Sequence, residues 1–306
     1  MDIIINAHPK IVALIPAYNE DRFIGSVVLK AKQFVHTVIV VDDCSTDKTR
    51  EIAEAAGAFV IHHDRNMGKA AGLNTAFRKA REFSPDVVVM LDGDGQHHPE
   101  DIPQVVAPIL NHQAELVVGS RFLQESSSRN IPRWRVFGQH SLTAMTNVCS
   151  GTNFTDSQSG FRALSADVLK YIEFRQVGFT AESEMQFMAR ESNWRLVEVP
   201  IEVVYAEPAK RNPFIHALQV INGIVLLIGQ ARPLMFFGIP GVLLILTATL
   251  FGSAVVIGYN ATSKLAIGYA LITVLLAIVG TLSLFTAITL HSILAFLRDY
   301  MNRRAI

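Results

Sequence analysis

The sequence predicts an α/β domain with a mostly parallel sheet, followed by a hairpin of two apolar helices. Three observations carry this. Short apolar runs alternate with helix-patterned stretches up to about residue 205, the signature of βαβ units with right-handed crossovers. Several of those runs end in clusters of carboxylates, glycines and small polar residues. From Pro233 to Leu297 the only charged residue is Lys264.

Strand patterns fall at 11–15, 37–41, 59–61, 87–91 and 116–118, and all read as short buried strands. Helical patterns lie between them at 21–34, 48–56, 69–83 and 100–111. The run 87–91 has no polar interruption, as in a strand buried on both faces. It stops at Asp92-Gly93-Asp94-Gly95-Gln96, where glycines let the backbone turn tightly and approach a ligand. Carboxylates at the C-terminal end of a parallel strand sit in the crevice where open α/β sheets bind ligands. Two hard oxygen donors there suit Mg²⁺ or Mn²⁺, which keep waters and take further oxygens from a nucleotide diphosphate. The clusters at 16–20, 42–47 and 119–121 would line the same edge. His97 and His98 follow immediately; they could extend the site, but the favoured reading is the start of the next helix.

Lys+Arg and Asp+Glu are both 27, but 23 basic and 26 acidic residues precede position 233. That balance lacks the basic footprint of a nucleic-acid-binding protein. Cys44 and Cys149 are the only cysteines, at neither metal-ligand nor CxxC spacing, which fits a reducing, cytosolic location. The N-terminus runs into the first strand without a signal peptide.

Residues 233–263 and 265–297 each exceed the roughly 20 apolar residues of a spanning helix. Spans are expected at 234–258 and 268–297. The short connection makes them an antiparallel hairpin, and the Asn260 glycosylation sequon within it reads as chance. Arg232 precedes the pair and Arg298, Arg303 and Arg304 follow it, so both termini are expected in the cytosol. Within 212–231, His216, Gln219, Asn222, Gly223 and Gln230 form one polar stripe opposite Phe214, Leu218, Ile221, Val225 and Ile228. An amphipathic helix in the membrane interface is the favoured reading; a helix packed in the globular domain is the alternative. The expected organisation is a domain at 1–211, the amphipathic helix at 212–232, and the hairpin with a basic tail at 233–306.

Six motifs occur in order: Ile-Pro-Ala-Tyr-Asn-Glu at 15–20, Val-Val-Asp-Asp-Cys-Ser-Thr-Asp at 40–47, Asn-Met-Gly-Lys at 66–69, Asp-Gly-Asp-Gly-Gln-His at 92–97, Gly-Ser-Arg-Phe at 119–122 and Ser-Gly-Phe-Arg at 159–162. Together they resemble the family 2 glycosyltransferases of GT-A fold. More narrowly, they resemble the dolichyl-phosphate mannose or glucose synthases and their bacterial polyprenyl-phosphate relatives. The amphipathic helix and hairpin match the membrane-anchored members.

The resemblance implies inverting transfer of one sugar from a nucleotide sugar to a polyprenyl phosphate at the cytosolic membrane face. Pro16, Tyr18 and Glu20 would shape the nucleoside pocket, and Asp43 would read base or ribose; helix capping is the other reading of the 42–47 cluster. Lys69 would offer a cation to diphosphate or sugar, unless it is simply solvated. Asp94 would ligate the metal directly, Gln96 would add an amide oxygen, and Asp92 would touch metal or sugar. A lipid phosphate is already anionic at neutral pH, its second pKa being near ~6. It therefore needs cations more than a base. Arg121 and Arg135 are the candidates, the guanidinium fork matching phosphate. Arg133 competes with Arg135, and Lys210 aligns only loosely with a basic residue of the family.

The 66–71 stretch resembles the UDP-sugar members of the family more than the GDP-mannose ones, which favours a UDP-sugar such as UDP-glucose or UDP-GlcNAc as donor. Two other classes remain: a non-enzymatic membrane relative, and a transferase acting on another lipid such as diacylglycerol. The latter would need a base, for which Asp156 is the candidate. Asn130-Ile-Pro-Arg-Trp134 departs from the processive-synthase signature, and two spans build no channel. The sequence leaves oligomeric state open, a homo-oligomer included.

Overall fold

A computed structural model describes residues 9–124, 133–174, 181–203 and 233–304. It divides into two compact units, Met1–Gly223 and Ile224–Ile306. In the first, seven strands form one sheet. They are β1 (Ile11–Ala17), β2 (Thr37–Asp42), β3 (Phe59–His62), β4 (Val87–Met90), β5 (Leu116–Ser120), β6 (Arg162–Ser165) and β7 (Leu196–Pro200). Their order is β3-β2-β1-β4-β6-β5-β7. β1 pairs in parallel with β2 and β4, β2 with β3, and β5 with β7. β6 runs antiparallel between β4 and β5.

The five expected strands all form, within two residues of their expected ends. β3 is the exception to their expected burial, because it lies at the sheet edge. Phe59 there is 42% exposed, with the Lys79 ammonium 4.6 Å from its ring centre, a cation–π contact. The expected helices also form, as α1 (Ile24–Ala31), α2 (Thr49–Ala55), α3 (Lys69–Glu82) and α4 (Ile102–Leu110). Three more helices follow: α5 (Arg133–Ser150), α6 (Ala166–Tyr171) and α7 (Ala181–Glu191). β6 and β7 carried too little apolar signal to be foreseen.

The helices cover both faces of the sheet. Ile24, Val27 and Val28 of α1 and Ile102, Val105 and Val106 of α4 close one core layer. Leu73, Ala76 and Phe77 of α3, Val168 and Leu169 of α6, and Met185 of α7 close the other. Strands covered on both sides are fully apolar, which is why β1 and β4 read as unbroken runs.

The second unit holds α8 (Ile239–Thr262), entered through a π-helical turn at Leu234–Gly238, and α9 (Ile267–Arg304). By length and composition, Leu234–Thr262 and Ile267–Phe296 suffice to cross a membrane, with mean hydropathy 2.2 and 2.4. Thr247, Thr249, Thr273, Thr281 and Thr286 each donate their hydroxyl to the carbonyl four residues back. Such hydroxyls are satisfied inside their own helix, as apolar surroundings require. Ser283 reaches across to the Phe237 carbonyl in the π-helical turn at 2.7 Å.

The two helices meet backbone to backbone. A Cβ on Gly280 would lie 2.9 Å from the Gly241 carbonyl oxygen and 3.1 Å from Ile245 N, so no side chain fits without parting the helices. Gly280→Val is expected to loosen the hairpin, read as a lower thermal midpoint in detergent; an unchanged midpoint would contradict the close approach. The expected amphipathic helix at 212–232 lies outside the described residues.

Candidate active site

The sheet order decides where the motifs meet. β1 and β4 are parallel neighbours, so the loops at their C-terminal ends meet at one edge of the sheet, where open α/β sheets bind their ligands. Loops after β1 and β2 are laced together there. The Asn19 N–H donates to Ser45 Oγ, the Thr46 N–H to Asn19 Oδ1, and the Glu20 N–H to Thr49 Oγ1. Asp47 accepts from the Asp21 and Thr49 N–H groups. Burial would raise its carboxyl, but the Thr49 bonds outweigh this and hold it below the usual range.

Asp92 and Asp94 follow β4 after the buried Leu91. Asp94 Oδ1 accepts the Gln96 N–H at 3.0 Å, which closes the turn. Burial, and then the charge of Asp92, push the Asp94 carboxyl above its usual range. Burial acts on Asp92 in the same sense, yet the charge of Lys69 outweighs it and holds Asp92 low. A partly buried carboxylate raised by its neighbour's charge is one that a divalent cation would relieve. An oxygen-only set of Asp92, Asp94 and the Gln96 amide suits a hard ion. Among the described residues no three His, Cys, Asp or Glu side chains are already gathered for a metal.

A cation of the protein itself, Lys69, stands against Asp92. Its ammonium lies 2.5 Å from Asp92 Oδ1 and 2.7 Å from Glu182 Oε1. Burial would depress it, but the two carboxylates prevail and keep it above its usual range. The solvated alternative for Lys69 therefore does not describe this arrangement. Glu182, in the first turn of α7, was not foreseen. Nothing in Ala181-Glu182-Ser183-Glu184 separates it from Glu184, and both are buried.

His97 also belongs to the site. Its Nδ1 accepts the Asp92 N–H at 3.4 Å and lies 4.0 Å from Asp92 Oδ2, with its ring against Phe161. Burial holds it below its usual range against the pull of Asp92 and Asp94, so the neutral ring can accept. His98 alone flanks the helical turn that begins at Pro99.

β6 brings the fifth and sixth motifs together. Because it runs antiparallel, residues 159–162 enter from the crevice edge, with Arg162 registered against both Met90 and Val118. A Cβ on Gly160 would lie 2.6 Å from Asp92 Oδ2, so only glycine admits that carboxylate. Arg162 is fully buried and donates to the carbonyls of Ser157, Ser159 and Glu182 at 2.8–2.9 Å.

Arg121 is 8% exposed and forms a fork with Asp156, Nε to Oδ2 at 2.6 Å and Nη2 to Oδ1 at 2.8 Å. Burial would raise the Asp156 carboxyl, but Arg121 outweighs it and holds it low. Glu198 on β7 supports this pair by accepting the Asp156 and Thr155 N–H groups. Arg121 is thus a buried, oriented guanidinium whose charge reaches Asp92.

Tyr18 is 40% exposed at the crevice; Pro16 packs beneath α3, 3.6 Å from where a Gly72 Cβ would stand. The charge of Glu20 contributes to raising Asp94. Asp43 holds protein groups: the Met67 and Gly68 N–H groups at 2.9 and 2.7 Å, and His63 Nδ1 at 2.8 Å. A carboxylate only accepts, so His63 donates there. Asp43 is therefore a strut under the turn that carries Lys69. Arg133 and Arg135 fall in the first turn of α5, but their side chains, like Lys210, lie outside the described residues.

The chain is similar to proteins already known. The model of Glycosyl transferase family 2 matches residues 12–172. The chain is 34% identical over 214 residues to the UDP-N-acetylglucosamine–dolichyl-phosphate N-acetylglucosaminyltransferase of Methanococcus voltae, a match covering 63% of this chain and 85% of that protein. It is 30% identical over 208 residues to the undecaprenyl-phosphate mannosyltransferase of Micrococcus luteus, covering 65% and 85%. In fold it is similar to glucosyl-3-phosphoglycerate synthase from Mycobacterium tuberculosis, crystallised with Mn²⁺, UDP-glucose and phosphoglyceric acid. That likeness has a TM-score of 0.56 at 23% identity and covers 72% of this chain and 80% of the other. The chain belongs to glycosyl transferase family 2.

Proposed function

We propose that the chain transfers a single sugar from a nucleotide sugar, by preference a UDP-sugar, to the phosphate of a polyprenyl phosphate. The reaction takes place at the cytosolic face of a membrane in which the hairpin is anchored. The observation that carries this reading is the pairing of two environments across one crevice: the Asp92–Asp94–Gln96 turn on one side and the buried Arg121–Asp156 fork on the other. The names of the Methanococcus and Micrococcus relatives support the acceptor class.

Asp92, Asp94 and Gln96 would hold Mg²⁺ or Mn²⁺, which when bound neutralises charge on the departing diphosphate. Pro16, Tyr18 and Glu20 form the nucleoside side, with Asp43 holding the loop behind them. Lys69 faces the diphosphate, and Lys210 is kept as an acceptor-side cation ahead of the membrane segment.

Arg121 and Arg135 hold the acceptor phosphate, offsetting the repulsion between two anions. An oxygen of that phosphate attacks the anomeric carbon opposite the diphosphate, which leaves with the bonding electrons. The low-lying carboxyl of Asp156 favours this acceptor over a lipid hydroxyl. A carboxylate locked to Arg121 is a weak base, and a phosphate oxygen requires none.

An α-linked donor is therefore expected to give a β-linked lipid-phosphate sugar. Arg121→Ala and Arg135→Ala should each lower transfer roughly ten- to a hundred-fold while nucleotide affinity is kept, the weight of one charge-assisted contact. NMR of the product anomer and calorimetry with UDP check both points. An α-linked product, or an arginine variant that loses UDP binding, would overturn the scheme. Radiolabelled transfer to polyprenyl phosphate but not to diacylglycerol tests the acceptor.

A further inference from the structure

We propose that Glu182 is a positioning residue: it anchors Lys69, and the Lys69 ammonium serves as an internal counterion at Asp92 until a divalent cation takes over that carboxylate. The inference rests on the metal reading above and goes beyond it. The Lys69 side chain is 37% exposed and that of Asp92 29%, whereas that of Glu182 is only 7% exposed. An incoming ligand therefore meets Lys69 and Asp92 first. Glu182 lies behind them, where it acts on Lys69 rather than on the ligand.

Its place is fixed from within the protein. Arg162 donates to the Glu182 carbonyl at 2.9 Å and to the Ser157 and Ser159 carbonyls, and Gly160 lets Asp92 close against the same segment. The ammonium is thus gripped by one shielded carboxylate and one accessible carboxylate. A divalent cation entering between Asp92 and Asp94 competes with Lys69 for Asp92 alone. Glu182 retains the ammonium, which is then left at the side of the crevice where a diphosphate would sit. Without Glu182, Lys69 would pair with Asp92 only and resist displacement.

The two residues therefore have opposite expected effects on metal binding. Manganese is titrated into the full-length protein in detergent, without nucleotide, and free ion is counted by electron paramagnetic resonance. Lys69→Met is expected to bind manganese about ten-fold more tightly than wild type, since it frees Asp92 of one charge-assisted bond. Glu182→Gln, nearly isosteric, is expected to bind it several-fold more weakly. In the Lys69→Met/Glu182→Gln double variant the Glu182 effect should largely vanish, because the anchor has nothing left to hold. Equal affinity in Glu182→Gln and wild type would overturn the inference. So would a weakening of the same size with and without Lys69, which would be plain loss of negative charge. If neither wild type nor Lys69→Met binds manganese, the metal reading falls and the anchor with it, an outcome distinct from the other two. Circular dichroism melts on all four proteins confirm that folded chains are compared.

Discussion

Asp94→Ala is expected to lower sugar transfer by about 10²–10³-fold, the several kcal/mol of charge stabilisation a bound divalent cation supplies. The fold should not suffer. Asp94 is raised by burial and by Asp92, so its ionised form is disfavoured in the folded state and weakens folding above its pKa. Removing it relieves that repulsion, and the one bond lost is the turn contact to the Gln96 N–H. A thermal midpoint equal to or above wild type is therefore expected alongside the lost activity. Excess EDTA should reproduce the activity loss in wild type. Full turnover in EDTA, or a variant that loses activity only because it unfolds, would remove the metal role from Asp94.

Arg162→Met is expected to cost about 3–5 kcal/mol of stability, the range for removing one member of a buried charged network. Burial lowers the Arg162 guanidinium to about 10, with Glu182, Asp156, Glu198 and Asp92 opposing the drop, so it stays charged at neutral pH. Methionine fills much of the volume but leaves three carbonyls without their donor. It also removes the positive charge that those four carboxylates favour. Arg162→Lys keeps the charge on a single nitrogen, which cannot span three carbonyls as a fork can, so an intermediate loss is expected. Denaturant unfolding of both variants checks the order. A midpoint for Arg162→Met within error of wild type would show that the network does not depend on it.

The strand and helix pattern of residues 11–118 was legible because each element there is local and strongly apolar. β4 is four buried residues, Val87–Met90, two positions ahead of Asp92, and no choice of tertiary partner changes that reading. The apolar length of the hairpin was legible for the same reason. β6 was not, since Arg162-Ala163-Leu164-Ser165 has no alternation of its own and becomes a strand only between β4 and β5. Of the two readings open for His97 and His98, His98 follows the favoured one, at the start of the next helix, and His97 the other, against the site. Adjacent residues point in different directions, and only the turn geometry sends His97 inward against Asp92 and Phe161.

By itself, then, the sequence determined that Asp43, Asp92, Asp94 and Arg121 stand just past strand ends and that Lys69 opens a helix. Backbone periodicity and an abrupt change from apolar to polar mark such ends directly. Tertiary structure alone decided what those residues touch. Asp43 accepts from the Met67 and Gly68 backbone, Arg121 is forked by Asp156, and Lys69 is gripped by Glu182 from 113 residues further along the chain. Those partners come from other elements, and the antiparallel entry of β6 brings residues 156–162 to the crevice. A side chain's charge is written in the sequence, but the charge it faces depends on which distant segment the sheet order places beside it.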